Sequence, residues 1–217
     1  MIAGVSVEAG SEAVVVRSQA PLRVLSSAVH LGGFAEARAV VNLHVRKHDP
    51  CADPAGMIRA FAGRAGVPVP WVGLLTGALT ERAVQAEDSA GGFHALAVVT
   101  VGLSNPVAAG LSPVAPWVAS TINTIVVVDA DPEPAALVNA VITATEVKGL
   151  LLREAGLRAE GGHAASGTST DAVVIAATGR GPAASFGGPA SEMGWVVARA
   201  ARAALGRAIA EWQERRR

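Results

Sequence analysis

Three short runs of neutral hydrogen-bonding side chains sit beside apolar stretches of this chain. They are Ser104-Asn105, Ser120-Thr121-Ile122-Asn123-Thr124 ahead of Ile125–Val128, and Gly167-Thr168-Ser169-Thr170-Asp171 ahead of Val173–Ala176. Strand ends are where a buried scaffold presents polar groups to ligands. Any single Ser, Thr or Asn there usually just satisfies backbone groups; three such runs placed alike point to a site. A helical pattern separates the second run from the third. At about 100° per residue, Leu137, Val141, Ala144, Leu151 and Leu152 share an apolar face, and Asn139, Thr143, Glu146 and Arg153 lie opposite. Lys148 falls inside the apolar arc, where a lysine must snorkel, take a partner, or lose its charge. Asp171, at the entrance of an apolar strand, is the expected partner, giving a buried, coupled pair.

The elements that must position these groups can be read in order. Ile2–Ser18 forms a hairpin around Glu8-Ala9-Gly10-Ser11, and Val24–Val29 is a further apolar run. Val40–Val45 is a strand with Asn42 and His44 on one face; a histidine so placed is expected to hold a backbone partner. Asp53-Pro54 opens a short helix over 55–65. Trp71–Ala78 is a strand, and Ala83–Glu87 pairs with His94–Leu103 through Ser89-Ala90-Gly91-Gly92. Asp131-Pro132-Glu133-Pro134 carries a capping Asp and first-turn prolines for the long helix. Gly179–Gly188 is a Gly/Pro loop around Phe186, suited to covering a pocket, and Ser191-Glu192 caps the last helix. About eight strands and three helices, with hairpins outnumbering βαβ units, predict an α+β fold. Its sheet is largely antiparallel or mixed, with the helices on its faces; a layered α/β/β/α sandwich is the second arrangement. The expectation is a single domain over residues 1–217.

Composition narrows the function. Of 217 residues 51% are hydrophobic and 17% charged, and the formal net charge is zero, so no electrostatic footprint for nucleic acid exists. The five histidines are scattered and Cys51 is the one cysteine, so neither a zinc site nor an internal disulfide is expected. His48 and His163 read as loop residues. The segment 89–128 lacks Asp, Glu, Lys and Arg, yet Asn105, Pro106, Pro113, Pro116 and Asn123 break it into pieces too short to span a bilayer. No signal peptide is read in the first residues, and a cytoplasmic protein is expected. The Gly-x-Ser-x-Gly elbow, the P-loop, the dinucleotide fingerprint and His-Glu-x-x-His are all missing.

Taken in order, the motifs resemble one family. Leu-Ser-Ser-Ala (25–28), Gly32-Gly33, Val-Asn-Leu-His-Val (41–45), Val-Gly-Leu-Ser-Asn (101–105), Ser-Thr-Ile-Asn-Thr-Ile (120–125), Ala-Thr-Glu-Val-Lys (144–148), Gly-Thr-Ser-Thr-Asp-Ala (167–172) and Gly188-Pro189 are similar to the CbiZ family. Its members are the adenosylcobinamide amidohydrolases of cobamide salvage. Val147 and Ser120 stand where that family often has Ala and Gly. The resemblance implies hydrolysis of the amide joining the corrin side chain to aminopropanol, giving adenosylcobyric acid. The partner would be a small-molecule corrinoid, with no nucleic acid or membrane insertion; a homo-oligomer is compatible with the sequence. The Asp-x-His-x-x-Gly pattern of base-off cobalamin mutases is absent, so a cobamide is expected as substrate and not as cofactor; no cofactor and no further metal are expected. Such a reaction needs a base, an acid and an oxyanion stabiliser. Glu146 and Asp171 are candidates for base and acid, and Lys148 with Asn123 for oxyanion or orienting roles. A Thr168 or Thr170 nucleophile with Lys148 as base is the alternative. Asn42, His44, Ser104, Asn105, Thr121, Asn123, Thr168 and Thr170 are the substrate-binding candidates. Rival readings are a non-catalytic corrinoid-binding protein and an amidohydrolase for a smaller amide.

Overall fold

The structure, a computed structural model, describes residues 1–46, 52–114 and 120–216. His48 and Cys51 lie outside these residues. The chain opens with strands β1 (Val5–Ala9), β2 (Ala13–Ser26) and β3 (Gly33–His44). Helix α1 (Pro54–Arg64) then leads to β4 (Trp71–Thr76), and a 3₁₀ turn at Thr80–Arg82 leads to the hairpin β5 (Val84–Ala90) and β6 (Phe93–Val101). After the short β7 (Pro106–Val107) come β8 (Ile122–Asp129), the short β9 (Asp131–Pro132) and the long helix α2 (Pro134–Glu154). The short β10 (Gly167–Thr168), β11 (Ala172–Ala177), the short β12 (Ala183–Ala184) and α3 (Glu192–Glu214) complete the described chain.

One mixed sheet in the order β4-β3-β2-β11-β8-β6-β5, with β1 added on β2, holds these elements together. The side-chain alternation of its strands decides the layering. Val14, Val40 and Leu74 from β2, β3 and β4 share a core with Val98, Ile125 and Val174 from β6, β8 and β11. The sheet is therefore bent over on itself, with its two halves face to face. The opposite set from the first half, including Val41 and Leu43, packs under α1. The opposite set from the second half, including Val126 and Ile175, packs under α2 and α3. The result is α+β with a mixed sheet and three helices on its faces, arranged as a layered α/β/β/α sandwich.

Two pairings place the functional loops. β11 runs parallel to β8, with Ala172 opposite Asn123, so both strands begin at one end of the sheet. β6 runs antiparallel to β8 with Val101 opposite Ile122, so β6 finishes at that same end. The three polar runs of the sequence thus emerge side by side.

Some local expectations are corrected. The runs before Ser18 and after Val24 are one strand, β2, whose pairing with β3 shifts register between Arg17 and Leu22; a bulge absorbs the interruption at Gln19–Pro21. Glu133 and not Asp131 precedes α2, with no side-chain cap, and the Asp131 carboxylate pairs instead with Arg23. Thr143 is fully buried, and its hydroxyl donates to the Gly187 carbonyl at 3.0 Å. The loop before α3 presses on that side of α2: a Cβ on Gly187 would stand 2.2 Å from the Ala136 carbonyl oxygen. Phe186 in that loop is exposed. Ser191 caps α3 as expected, accepting from Gly194 N at 3.1 Å. α2 is long and apolar enough to cross a bilayer, yet its apolar side is packed against the sheet and α3.

Candidate active site

The geometry converges on the Asp171 carboxylate. Its Oδ2 accepts from Lys148 Nζ at 2.5 Å and from Thr168 N at 3.0 Å. Its Oδ1 accepts from Ile122 N at 2.9 Å and from the Thr168 hydroxyl. Two loops and a helix therefore meet on one group. Ile122 opens β8, Thr168 lies in β10, and α2, crossing between β8 and β11, delivers Lys148. Both charged side chains are 10% exposed, so their attraction is only weakly screened. The close approach requires glycine at 167, where a Cβ would stand 2.4 Å from Asp171 Oδ2 and 3.0 Å from Lys148 Nζ.

Around this knot the polar runs are laced together. The Thr121 hydroxyl donates to the Thr170 carbonyl at 2.7 Å, and Asn105 Nδ2 donates to Ser169 Oγ at 2.7 Å. Ser104 donates from both its N–H and its hydroxyl to Ser120 Oγ, at 3.0 and 2.8 Å. A cleft of about 240 Å³ opens beside Ser104 and Ser120, closed on its far side by the end of α3 at Trp212.

Not every predicted residue is here. Asn123 shares the face of β8 that carries Ile125 and so points between the two sheet layers. Asn123 Nδ2 donates to Asn42 Oδ1 and to the Leu75 carbonyl, both at 2.8 Å. Asn42 Nδ2 donates in turn to Thr100 Oγ1 at 2.9 Å, and Thr100 lies 3.4 Å from Thr76 Oγ1. With Asn42 1% and Asn123 0% exposed, these amides are buried and occupied by protein partners. Asn123 is therefore held between the sheet layers, whereas Asp171 sits among the loops above it. His44 sits with Nδ1 2.9 Å from the Ala78 carbonyl oxygen, the backbone partner expected of it. Glu146 is exposed; two residues before Lys148, it stands about 200° round the helix from it. It cannot share a site with the pair. Thr100 escapes the sequence reading as a member of the interior network. The signal was available: Thr100 continues the inward series Leu96, Val98 of β6.

Chemically, the cluster offers one hydroxyl directed at a carboxylate that an ammonium neutralises. That arrangement suits nucleophile activation and proton transfer at a carbonyl. Among the described residues no group of three His, Cys, Asp or Glu is placed to hold a metal ion.

Residues 2–217 match the family model described as adenosylcobinamide amidohydrolase. The adenosylcobinamide amidohydrolase of Methanosarcina mazei is 34% identical over 145 residues, a stretch covering 67% of this chain and 64% of that protein's length. Among solved structures, a beta-aminopeptidase from Burkholderia sp. is similar over 91% of this chain and 77% of its own, at 15% identity and a TM-score of 0.47. The PH0078 protein from Pyrococcus horikoshii OT3 is similar over 94% of this chain and 78% of its own, at 11% identity and a TM-score of 0.46. On the family match along nearly the whole sequence, this chain belongs to the adenosylcobinamide amidohydrolase family.

Proposed function

We propose that this protein hydrolyses the amide between the corrin side chain and aminopropanol of adenosylcobinamide, releasing adenosylcobyric acid for cobamide salvage. The observation that carries this reading, beside the family, is the Thr168–Asp171–Lys148 cluster at the shared strand end. We read residues 1–217 as one domain with one such site. A cytoplasmic location belongs to the same reading, in keeping with a chain whose sole cysteine can form no internal disulfide.

In the mechanism supported best, Thr168 Oγ1 attacks the amide carbonyl and its proton passes to Asp171. Lys148 gives a proton to the departing aminopropanol nitrogen, and Asp171 returns one to Lys148. The resulting ester on Thr168 is then opened by water, whose proton restores the threonine hydroxyl; the net change is addition of one water across the amide. Glu146 has no part in this route, because it lies on the other side of α2. Asn42 and Asn123 act from within, holding the sheet layers beneath the loops.

Incubation with adenosylcobinamide, followed by mass spectrometry, tests the function: adenosylcobyric acid and free aminopropanol are expected. Binding with no product would leave a corrinoid-binding protein and overturn the enzymatic reading. Thr168→Ser should retain turnover and Thr168→Ala should lose at least about a hundredfold. Full activity in Thr168→Ala would move the attack to a water.

A further inference from the structure

The cleft beside Ser104 and Ser120 is distinct from the Lys148–Asp171 knot, and its lining is basic. Arg82, from the 3₁₀ turn, and Arg215 and Arg216, from the end of α3, line it. Elsewhere arginines are mostly engaged: Arg64 with Glu12, Arg199 with Asp88 and Arg202 with Glu154. Among the described residues none of the cleft's three arginines has a carboxylate partner. Arg216 alone has an aromatic one, its guanidinium 4.3 Å from the centre of the Trp212 ring. Among the described residues Glu211 is the one carboxylate in the lining, against three arginines. The negative end of α3 is partly quenched, since the Glu211 and Gln213 carbonyls accept from Arg215 N and Arg216 N at 3.3 and 3.1 Å.

A second feature points the same way. Ser120 is 3% exposed, and its Oγ receives both the Ser104 N–H and the Ser104 hydroxyl. Two hydroxyls share one bridging proton, so the other hydroxyl proton has no acceptor among the described residues. It sits in the wall of the cleft. That donor faces the cleft, and an oxyanion bound there would accept from it.

We propose that this cleft binds a phosphoryl group. Three guanidiniums and a hydroxyl offer more donors than the two oxygens of a carboxylate can accept, whereas a phosphoryl group presents three oxygens and up to two charges. The size agrees: about 240 Å³ is below the roughly 300–1,000 Å³ of pockets for whole small molecules. The cleft holds a group and not a corrinoid. That group is either carried by a phosphorylated substrate or belongs to a free phosphate compound.

Calorimetric titration of the intact protein with pyrophosphate and with inorganic phosphate tests this without turnover, so its failure is separable from failure of the amidohydrolase reading. Saturable binding at one site is expected, weakening with added salt. Arg82→Ala and the double variant Arg215→Ala/Arg216→Ala should each weaken it about tenfold. The two variants lie on different elements, so a local disturbance of the α3 end cannot produce both losses. Absence of saturable binding, or equal binding in the wild type and both variants, overturns the proposal. Cobinamide and cobinamide phosphate then distinguish the sources. A preference of about tenfold or more for the phosphorylated form, erased by Arg82→Ala, identifies a substrate-borne group; no preference, with pyrophosphate still bound, identifies a free one.

Discussion

Replacing Lys148 by Met is the most informative single perturbation, because the surroundings of both partners are defined. Breaking a buried ion pair by removing one partner costs about 3–5 kcal/mol, most of it from the charge left behind. Lys148→Met leaves Asp171 with three of its four donors, Ile122 N, Thr168 N and the Thr168 hydroxyl, so the loss should fall near 3 kcal/mol. Asp171→Asn is worse. It strands the Lys148 ammonium at 10% exposure, and its amide N–H₂ must face donors in place of an acceptor, so about 5 kcal/mol is expected. In the double variant no charge remains, and stability should exceed that of either single variant. Urea unfolding at low temperature is the assay, and the midpoint for Lys148→Met should fall by roughly 1–3 M. In thermal melts a loss near 3 kcal/mol corresponds to about 6–12 °C for a chain of this size. Turnover should be lost in all three variants. Lys148→Met within about 1 kcal/mol of wild type, or with normal turnover, would refute the reasoning and reduce Lys148 to a snorkelling side chain.

Other outcomes follow from the same geometry. Gly167→Ala places a Cβ 2.4 Å from Asp171 Oδ2; activity should fall to background, with a stability loss of about 1–3 kcal/mol measurable by denaturant titration. Asn123→Ala removes the donor to Asn42 Oδ1 and to the Leu75 carbonyl, and should destabilise by about 2–4 kcal/mol in the same assay. Glu146→Gln should leave turnover within about twofold, since Glu146 is exposed and away from the pair. His30, with its ring centre 4.1 Å from that of Trp71, titrates below its ordinary value, through burial first and the Arg59 charge second. A histidine depressed in the folded state gives stability that is full above its unfolded value and is lost as pH falls through the folded one. His30→Asn should therefore flatten the fall in melting temperature below about pH 6.5.

The parts of this molecule that local rules govern were legible in the sequence. The hairpins, the Ser191 cap, the strand carrying Asn42 and the placement of Lys148 on the apolar side of α2 all follow from periodicity and capping. What escaped depends on a partner far along the chain. Asp131 left its capping role for Arg23, 108 residues away, and Thr143 is buried because Gly187 lies on it, 44 residues on. Asn123 reads as a rim residue until the first half of the sheet folds over its face. The site showed the same division. The polar runs could be seen, but that they meet depends on the parallel pairing of β8 with β11.

The buried network of Asn42, Thr76, Thr100 and Asn123 has a further consequence, for strand register. Side chains alternate with a period of two, so a slip of one residue in β3 would turn Asn42 to the α1 side, where Val41, Leu43 and Phe61 form an apolar core. Such a slip would exchange an apolar side chain into the polar cluster and leave two stranded amides, one on each layer. Ladder hydrogen bonds alone would barely distinguish the two registers, since backbone is the same at every position. The four side chains therefore act as a key that fits one alignment of the two sheet halves. An apolar replacement of the whole set could raise stability and still yield a less uniquely aligned sheet.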